Sequence, residues 1–332
     1  MIIPFFIPHS GCPHQCIFCN QKHITGQNNP PDISLIPPRI SEYLKARTSS
    51  GPVQIAFYGG SFTALPLEMQ QSYLETTRPF IASGRIRNIR VSTRPDAIND
   101  EILAFLQSYH VTIVELGVQS LNDGVLTRSG RGHTAMDAVN AVNLLKSRCF
   151  TVGIQLMPGL PGDSHSGFLE TVVKTIALRP DFVRLYPALV IKGTPLETLY
   201  KAGNYTPLML DEAVALCRES LCRFEQAGID VIRIGLQPTE ELEKPGTILA
   251  GPFHPAFRQL VEASILLDKM RTVLTVGKKR TDVAVIRVNP GDLSAAIGHK
   301  SVNRETLKKE FNLRDICFQA DTAVPARAVI ID

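Results

Sequence analysis

Short apolar runs alternate with amphipathic stretches along most of this chain. Ile2–Ile7, Val53–Tyr58, Ile89–Thr93, Val111–Leu116, Thr151–Met157, Phe182–Tyr186 and Val231–Ile234 carry the near-continuous apolar pattern of strands covered on both faces. Between them, Arg39–Arg47, Leu67–Ala82, Asp100–Tyr109, Ala135–Ser147, Phe168–Leu178 and Leu210–Ala227 carry helical periodicity. Strand and helix in strict alternation predict a parallel sheet with crossover helices. Six or seven such units predict an α/β fold of the partial (β/α)6 TIM-like barrel type over residues 1–236. In such a barrel the functional residues gather where strands end and loops begin.

The pattern changes after residue 236. Pro238 to Pro255 is rich in Glu, Gly and Pro and reads as irregular, and Ala256–Met270 reads as a helix that could close the barrel. We take 237–271 as a connecting segment. Residues 272–332 predict a small α+β domain: strand Val283–Val288, helix Asp292–Ile297, turn Gly298–Ser301, helix Val302–Phe311, then strands Asp315–Gln319 and Arg327–Ile331.

Composition adds little to this picture. With 44% hydrophobic and 20% charged residues over 332 positions, the chain has room for a main core and an appendage. A net charge of +4 permits an anionic partner without demanding one. The apolar start Met1–Pro8 is too short for a signal peptide, and no apolar run is long enough to cross a bilayer. No membrane partner is expected. Seven cysteines, uneven in number, argue against a disulfide framework and for a reducing, cytoplasmic setting.

Chemistry enters with Gly11-Cys12-Pro-His-Gln-Cys16-Ile-Phe-Cys19-Asn20, directly after the first strand. C-x3-C-x2-C sets three soft thiolates on one short loop, which suits iron–sulfur, zinc or copper. Three ligands on a four-iron cubane leave one iron open for a chelating molecule. The competing reading is structural zinc completed by His9, His14 or His23, although no second ligand pair follows downstream. Cys149, Cys217, Cys222 and Cys317 are scattered and read as small core residues.

C-x3-C-x2-C with Phe18 before the third cysteine resembles the signature of the radical S-adenosylmethionine (SAM) superfamily. Five further segments resemble the branch that contains the catalytic subunit of Elongator. They are Tyr58-Gly-Gly-Ser-Phe62, Ser92-Thr-Arg-Pro-Asp96, Glu115-Leu-Gly-Val-Gln-Ser120, Arg131-Gly-His-Thr134 and Leu156-Met-Pro-Gly-Leu-Pro-Gly162. The resemblance implies a [4Fe–4S] cluster on Cys12, Cys16 and Cys19. It further implies SAM chelated at the fourth iron, an electron donor such as flavodoxin or ferredoxin, and reductive cleavage to a 5′-deoxyadenosyl radical.

The other carboxyl-end motifs are the candidate SAM contacts: Gly59, Gly60 and Ser61 for the ammonium; Thr93 and Arg94 for the carboxylate; Arg131 for the carboxylate or for a substrate phosphate; Gln119 and Ser120 for the ribose; Gln155 and Met157 beside them. Ser61 stands where the family often has Glu, and a barrel-facing methionine is more often core than contact.

In the small domain, Ile297-Gly298-His299-Lys300-Ser301-Val302-Asn303 resembles the G-x-x-G loop of KH domains, which clamps a nucleic-acid backbone. Gly298, His299, Lys300, Ser301, Arg304 and Lys308 are its candidate RNA contacts. Ser301 replaces the second glycine. The elements after residue 272 do not follow the order of an acetyltransferase, so an acetyl-CoA half-reaction has no home among them.

The expectation is therefore a radical SAM enzyme that modifies an RNA base, with tRNA as partner. The alternatives are a radical SAM enzyme acting on a metabolite such as a porphyrin precursor, since Arg184–Pro195 resembles that branch, and a non-enzymatic zinc protein.

Overall fold

The computed structural model describes residues 1–8, 10–27, 29–48, 51–276 and 282–331. His9, one of the three zinc-ligand candidates, lies outside them. The described chain divides into two compact units, residues 1–209 with 223–253, and residues 210–222 with 254–332.

The first unit is built on seven parallel strands: β1 (Ile2–Ile7), β2 (Gln54–Gly59), β3 (Asn88–Thr93), β4 (Val111–Gln119), β5 (Thr151–Leu156), β6 (Phe182–Leu185) and, after a short strand β7 (Val190–Ile191), β8 (Asp230–Ile234). Their spatial order is β1-β2-β3-β4-β5-β6-β8, so six crossovers join seven neighbours in chain order. This is the curled half-barrel expected of the α/β pattern. Its interior is dense: Ile3, Phe57, Val91, Val114, Ile154 and Val183 are at most 1% exposed. Burying such side chains contributes roughly 1.5–3 kcal/mol each.

The helices explain themselves locally. Ala135–Ser147 begins with a capping box, in which the Thr134 side chain accepts from the Asp137 amide and Asp137 accepts from the Thr134 amide. Asn99 and Ser164 cap Asp100–Ser108 and His165–Ala177 by single bonds, their side chains accepting from the Ile102 and Gly167 amides.

Two stretches differ from expectation. Leu67–Ala82 is two helices, Leu67–Glu75 and Arg78–Ala82, because Pro79 has no amide to continue the ladder and fits only in a first turn. Pro238 to Pro255 is not wholly irregular. It contains the helical turn Glu240–Glu243 and β9 (Ile248–Ala250), which pairs antiparallel with β7.

The second unit has a three-stranded sheet in the order β11-β10-β12, from β10 (Val283–Val288), β11 (Asp315–Ala320) and β12 (Val329–Ile331). β10 runs parallel to β11 and antiparallel to β12. Helices Leu293–Ile297 and Val302–Phe311 cover it. The long helix Phe257–Val276 shares this core: Ala263, Leu266 and Met270 pack with Ala284, Ile286, Val288 and Leu307. No helix of the described residues is long and apolar enough to cross a membrane.

Candidate active site

The three motif cysteines lie on the loop that leaves the carboxyl end of β1. Two neighbouring turns, one at the end of β2 and one between the helices Asp123–Arg128 and Ala135–Ser147, hold this loop in place. On one side, Gly60 and Ser61 donate from their amides to Ile7 and Ser10 carbonyls at 2.8 and 3.1 Å. A Cβ on Gly60 would stand 1.9 Å from the Ser10 carbonyl oxygen, and Gly59 takes φ +109, so only glycine lets β2 end this close to the loop. Ser61 Oγ lies 3.7 Å from Cys12 Sγ.

On the other side, Gly130 and Gly132 both take positive φ and flank Arg131. A Cβ on Gly132 would strike the His14 ring at 2.3 Å, and the Ile17 amide donates to the Ser129 carbonyl at 3.1 Å.

Cys16 is buried, while Cys12 and Cys19 are partly exposed. Burial first, then the nearby Cys16 and Cys12, push the Cys19 thiol up to about 12. Among the described residues, however, no three His, Cys, Asp or Glu side chains converge tightly enough for a single metal ion. A polynuclear iron–sulfur cluster holds each thiolate on a separate iron, and the soft three-thiol set on one loop fits that group.

Arg131 is 6% exposed. Its Nη1 donates to Cys16 Sγ at 3.1 Å, and its Nη2 donates to the Gly117 carbonyl. Arg94 is 3% exposed rather than lying at the surface. It holds Asp96 through two bonds of 2.9 and 3.0 Å and donates to the Arg131 carbonyl. Both arginines thus have partners within the protein, although Arg94 Nη1 and Arg131 Nε are buried with none.

Gln155 Nε2 donates to Gln119 Oε1 at 3.1 Å, which sets two amides side by side at the ends of β4 and β5. Met157 packs against Cys16, Phe18 and Leu160. Cys12, Cys16, Cys19, Ser61, Arg94, Gln119, Arg131, Gln155 and Met157 accordingly lie around the ends of β1 to β5.

Two candidates point elsewhere. Thr93 Oγ1 is bonded to Thr63 Oγ1 at 2.6 Å, buried beneath the helical turn Phe62–Ala64 that follows β2. Ser120 is fully buried, with Thr171 Oγ1 at 3.4 Å and the Asn122 amide at 3.2 Å, so it serves the β4-to-helix turn.

Below the mouth lies a charge cluster that no sequence spacing announces. Glu115 on β4 accepts from Arg90 Nη1 on β3 at 2.7 Å and from Arg184 Nη2 on β6 at 3.1 Å. Arg184 also donates to Tyr58 and Tyr186 hydroxyls at 3.2 and 3.1 Å. Glu115 and Arg90 are 5% and 7% exposed. Two arginines against one carboxylate leave this floor positively charged. Burial and Glu115 push the Tyr58 hydroxyl up to about 12, so it stays a donor.

His133, 5% exposed, has Nε2 3.3 Å from the Val118 carbonyl. Burial, then Arg131 and Arg94, lower it to about 4.

The remaining scattered cysteines divide differently from expectation. Cys217 is buried, but Cys149 and Cys317 are exposed.

In the second unit, Gly298 takes φ +82, and Lys300 and Ser301 follow at +52 and +63. A serine held in this left-handed turn is strained by about 1–2 kcal/mol. Asn303 holds the turn from beneath, donating to the Ala263 and Ala295 carbonyls at 2.9 and 3.1 Å. Lys300 is exposed. Arg304 is paired with Asp315 at 2.6 Å, and Lys308 faces Glu305 and Asp315 at 3.7 and 4.0 Å. His299 stacks edge-on with His254 at 5.0 Å.

Comparison with known proteins places this chain in one superfamily. The family profile described as the Radical SAM superfamily covers residues 6–174, and that of the Radical_SAM C-terminal domain covers 180–266. A tRNA uridine(34) acetyltransferase of Methanocaldococcus jannaschii is 30% identical over 198 residues. Elongator complex protein 3 of Mus musculus is 31% identical over 200. These alignments take in 54% and 53% of this chain but only 37% of each relative. The structure of archaeal Elp3 from Methanocaldococcus infernus, with residues 1–46 deleted, superposes with a TM-score of 0.60 at 21% identity, over 84% of this chain and 64% of that one. That likeness is one of fold.

Proposed function

Since the chain belongs to the radical SAM superfamily, in its Elongator-like branch, we propose that it binds a [4Fe–4S] cluster and SAM and modifies a base of RNA, tRNA first. The observation that carries the reading is the three-cysteine loop at the end of β1, held between the Gly59-Gly60-Ser61 and Gly130-Arg131-Gly132 turns. When bound, a reduced cluster would give one electron to the sulfonium of SAM, whose C–S bond would break to leave methionine and a 5′-deoxyadenosyl radical.

The chain's own residues do the rest. Cys12, Cys16 and Cys19 hold the cluster. Ser61, Gln119 and Gln155 offer hydroxyl and amide groups to the polar ends of SAM, and Arg94 Nη1 is the donor left for its carboxylate. Gly59 and Gly60 act through close approach. Thr93 and Ser120 support the walls from behind. Phe18 and Met157 exclude water from the cysteine loop. The floor of Arg90, Arg184, Tyr58 and Tyr186, with two arginines to the one carboxylate of Glu115, offers net positive charge to a carbonyl-rich or anionic group entering the mouth, as a flipped uracil-type base does.

In the second unit the exposed Lys300 and the strained Gly298–Ser301 turn suit a phosphate of single-stranded RNA. A soluble electron donor, flavodoxin or ferredoxin in kind, and a cytoplasmic site complete the reading.

The test is mass spectrometry of nucleosides from cells with and without the protein, complemented by wild type or by Cys16→Ala. The proposal expects one modified nucleoside to vanish and to return only with wild type. An unchanged nucleoside profile overturns the RNA assignment.

A further inference from the structure

His254 and His299 meet in the second unit, edge-on with 5.0 Å between ring centroids. His254 precedes the helix Phe257–Val276, and its Nδ1 accepts from the Ala256 amide at 3.1 Å, so the neutral ring carries its hydrogen on Nε2. His299 and the exposed Lys300 lie on the Gly298–Ser301 turn, whose Lys300 and Ser301 backbones are left-handed. Asn303 ties this turn to the same long helix through the Ala263 carbonyl. A Cβ on Gly298 would stand 2.7 Å from the Asn303 amide nitrogen, so only glycine lets the turn close this tightly.

The charge around the pair is one-sided. Burial first, then His299 and Lys300, hold the His254 imidazole below its ordinary value. Carboxylates of the neighbouring elements are engaged elsewhere: Glu262 with Arg258 at 2.8 Å, Asp292 with the Arg327 amide, Glu305 with Lys308 at 3.7 Å and Asp315 with Arg304 at 2.6 Å. Lys300 has no acidic partner among the described residues. Three groups that repel one another when protonated are therefore fixed side by side on a strained backbone, an arrangement that a bound anion relieves.

Resting on the RNA reading above, we propose that His254, His299 and Lys300 form one binding site for a backbone phosphate of single-stranded RNA. His254 extends the contact from the turn to the start of the long helix. The phosphodiester accepts hydrogen bonds from both rings and from the lysine ammonium, and no covalent bond changes. Its negative charge favours the protonated rings, so binding is linked to proton uptake and strengthens as pH falls through the histidine range.

The experiment is fluorescence anisotropy of a labelled single-stranded oligouridylate with the full chain, at pH 7.5 and 6.0 and constant ionic strength, for wild type, His254→Gln and His299→Gln. Melting temperatures are measured in parallel. Glutamine keeps a donor but gains no charge. Wild type is expected to bind about fivefold tighter at pH 6.0 than at pH 7.5. Each variant is expected to bind about threefold weaker than wild type at pH 6.0 and to gain only about twofold between the two pH values.

Wild-type affinity with an undiminished pH gain in His254→Gln overturns the proposal. Should the variants fail to fold, the wild type decides: inorganic phosphate added at pH 6.5 is expected to shift the ring-proton resonances of two of its 8 histidines together, and no shift counts against the site. Shifted histidines in a wild type that binds no RNA refute the RNA assignment instead and leave free phosphate as the ligand.

Discussion

His133 and Glu115 make the residue scale concrete. The folded state keeps His133 at about 4, below its unfolded value of roughly 6.5. Above pH 6.5 neither state is protonated there, and the residue adds no pH dependence. Between 6.5 and 4 the unfolded chain takes a proton that the folded chain refuses. Stability therefore falls with pH across that window, by up to about 3 kcal/mol. Denaturant titrations at pH 7 and pH 4.5 should show this loss in wild type and a much smaller one in His133→Gln. Equal losses would mean that the histidine is not held neutral.

Glu115 makes a second prediction. Removing its charge leaves Arg90 and Arg184 buried with no counter-charge, so Glu115→Gln should destabilise by about 3–5 kcal/mol, read from urea unfolding. A change under ~1 kcal/mol would show that the floor is well hydrated.

At the scale of elements, strand ends and turns decide the site. Gly60→Ala drives a methyl group into the Ser10 carbonyl. It should cost the protein most of its iron on reconstitution while leaving the far-UV spectrum unchanged, and full iron loading would contradict the close packing. Ser301→Gly removes left-handed strain and should raise the melting free energy by about 1 kcal/mol. No gain would mean that the strain is relieved elsewhere.

These elements also show what was legible beforehand. All seven parallel strands announce themselves by apolar runs, because a strand covered on both faces needs no alternation. Helix Ala135–Ser147 announces itself through Thr134 and Asp137. The break after Glu75 was hidden because apolar periodicity continues across Thr76 and Thr77 with Pro79 inside it. β7 and β9 are too short to carry a period. The Glu115 cluster was hidden because its members come from β2, β3, β4 and β6, and only sheet order brings them together. Ser120 misled for the opposite reason: its motif position is at the mouth, but its side chain turns to Thr171. Arg94 follows β3 directly, whereas Arg131 lies on the turn between the helices Asp123–Arg128 and Ala135–Ser147, and their partners, Asp96 and Cys16, follow only from the backbone path.

For the whole molecule, the two units divide the proposed labour between a redox site and a nucleic-acid surface. If Lys300 contacts one phosphate, Lys300→Glu in the full chain should weaken RNA binding several-fold. It should also lower the slope of log affinity against log salt by about 1. An unchanged slope would remove the turn from the interface.

The central claim is that three thiols on the β1 loop bear a cluster able to open SAM. The most direct measurement is 5′-deoxyadenosine formed by anaerobically reconstituted protein with SAM and dithionite, compared with the Cys12→Ala, Cys16→Ala, Cys19→Ala triple variant. The account predicts a brown wild-type protein that forms 5′-deoxyadenosine and a colourless, folded variant that forms none. Equal yields from the two, or no product from an iron-loaded wild type, would contradict it.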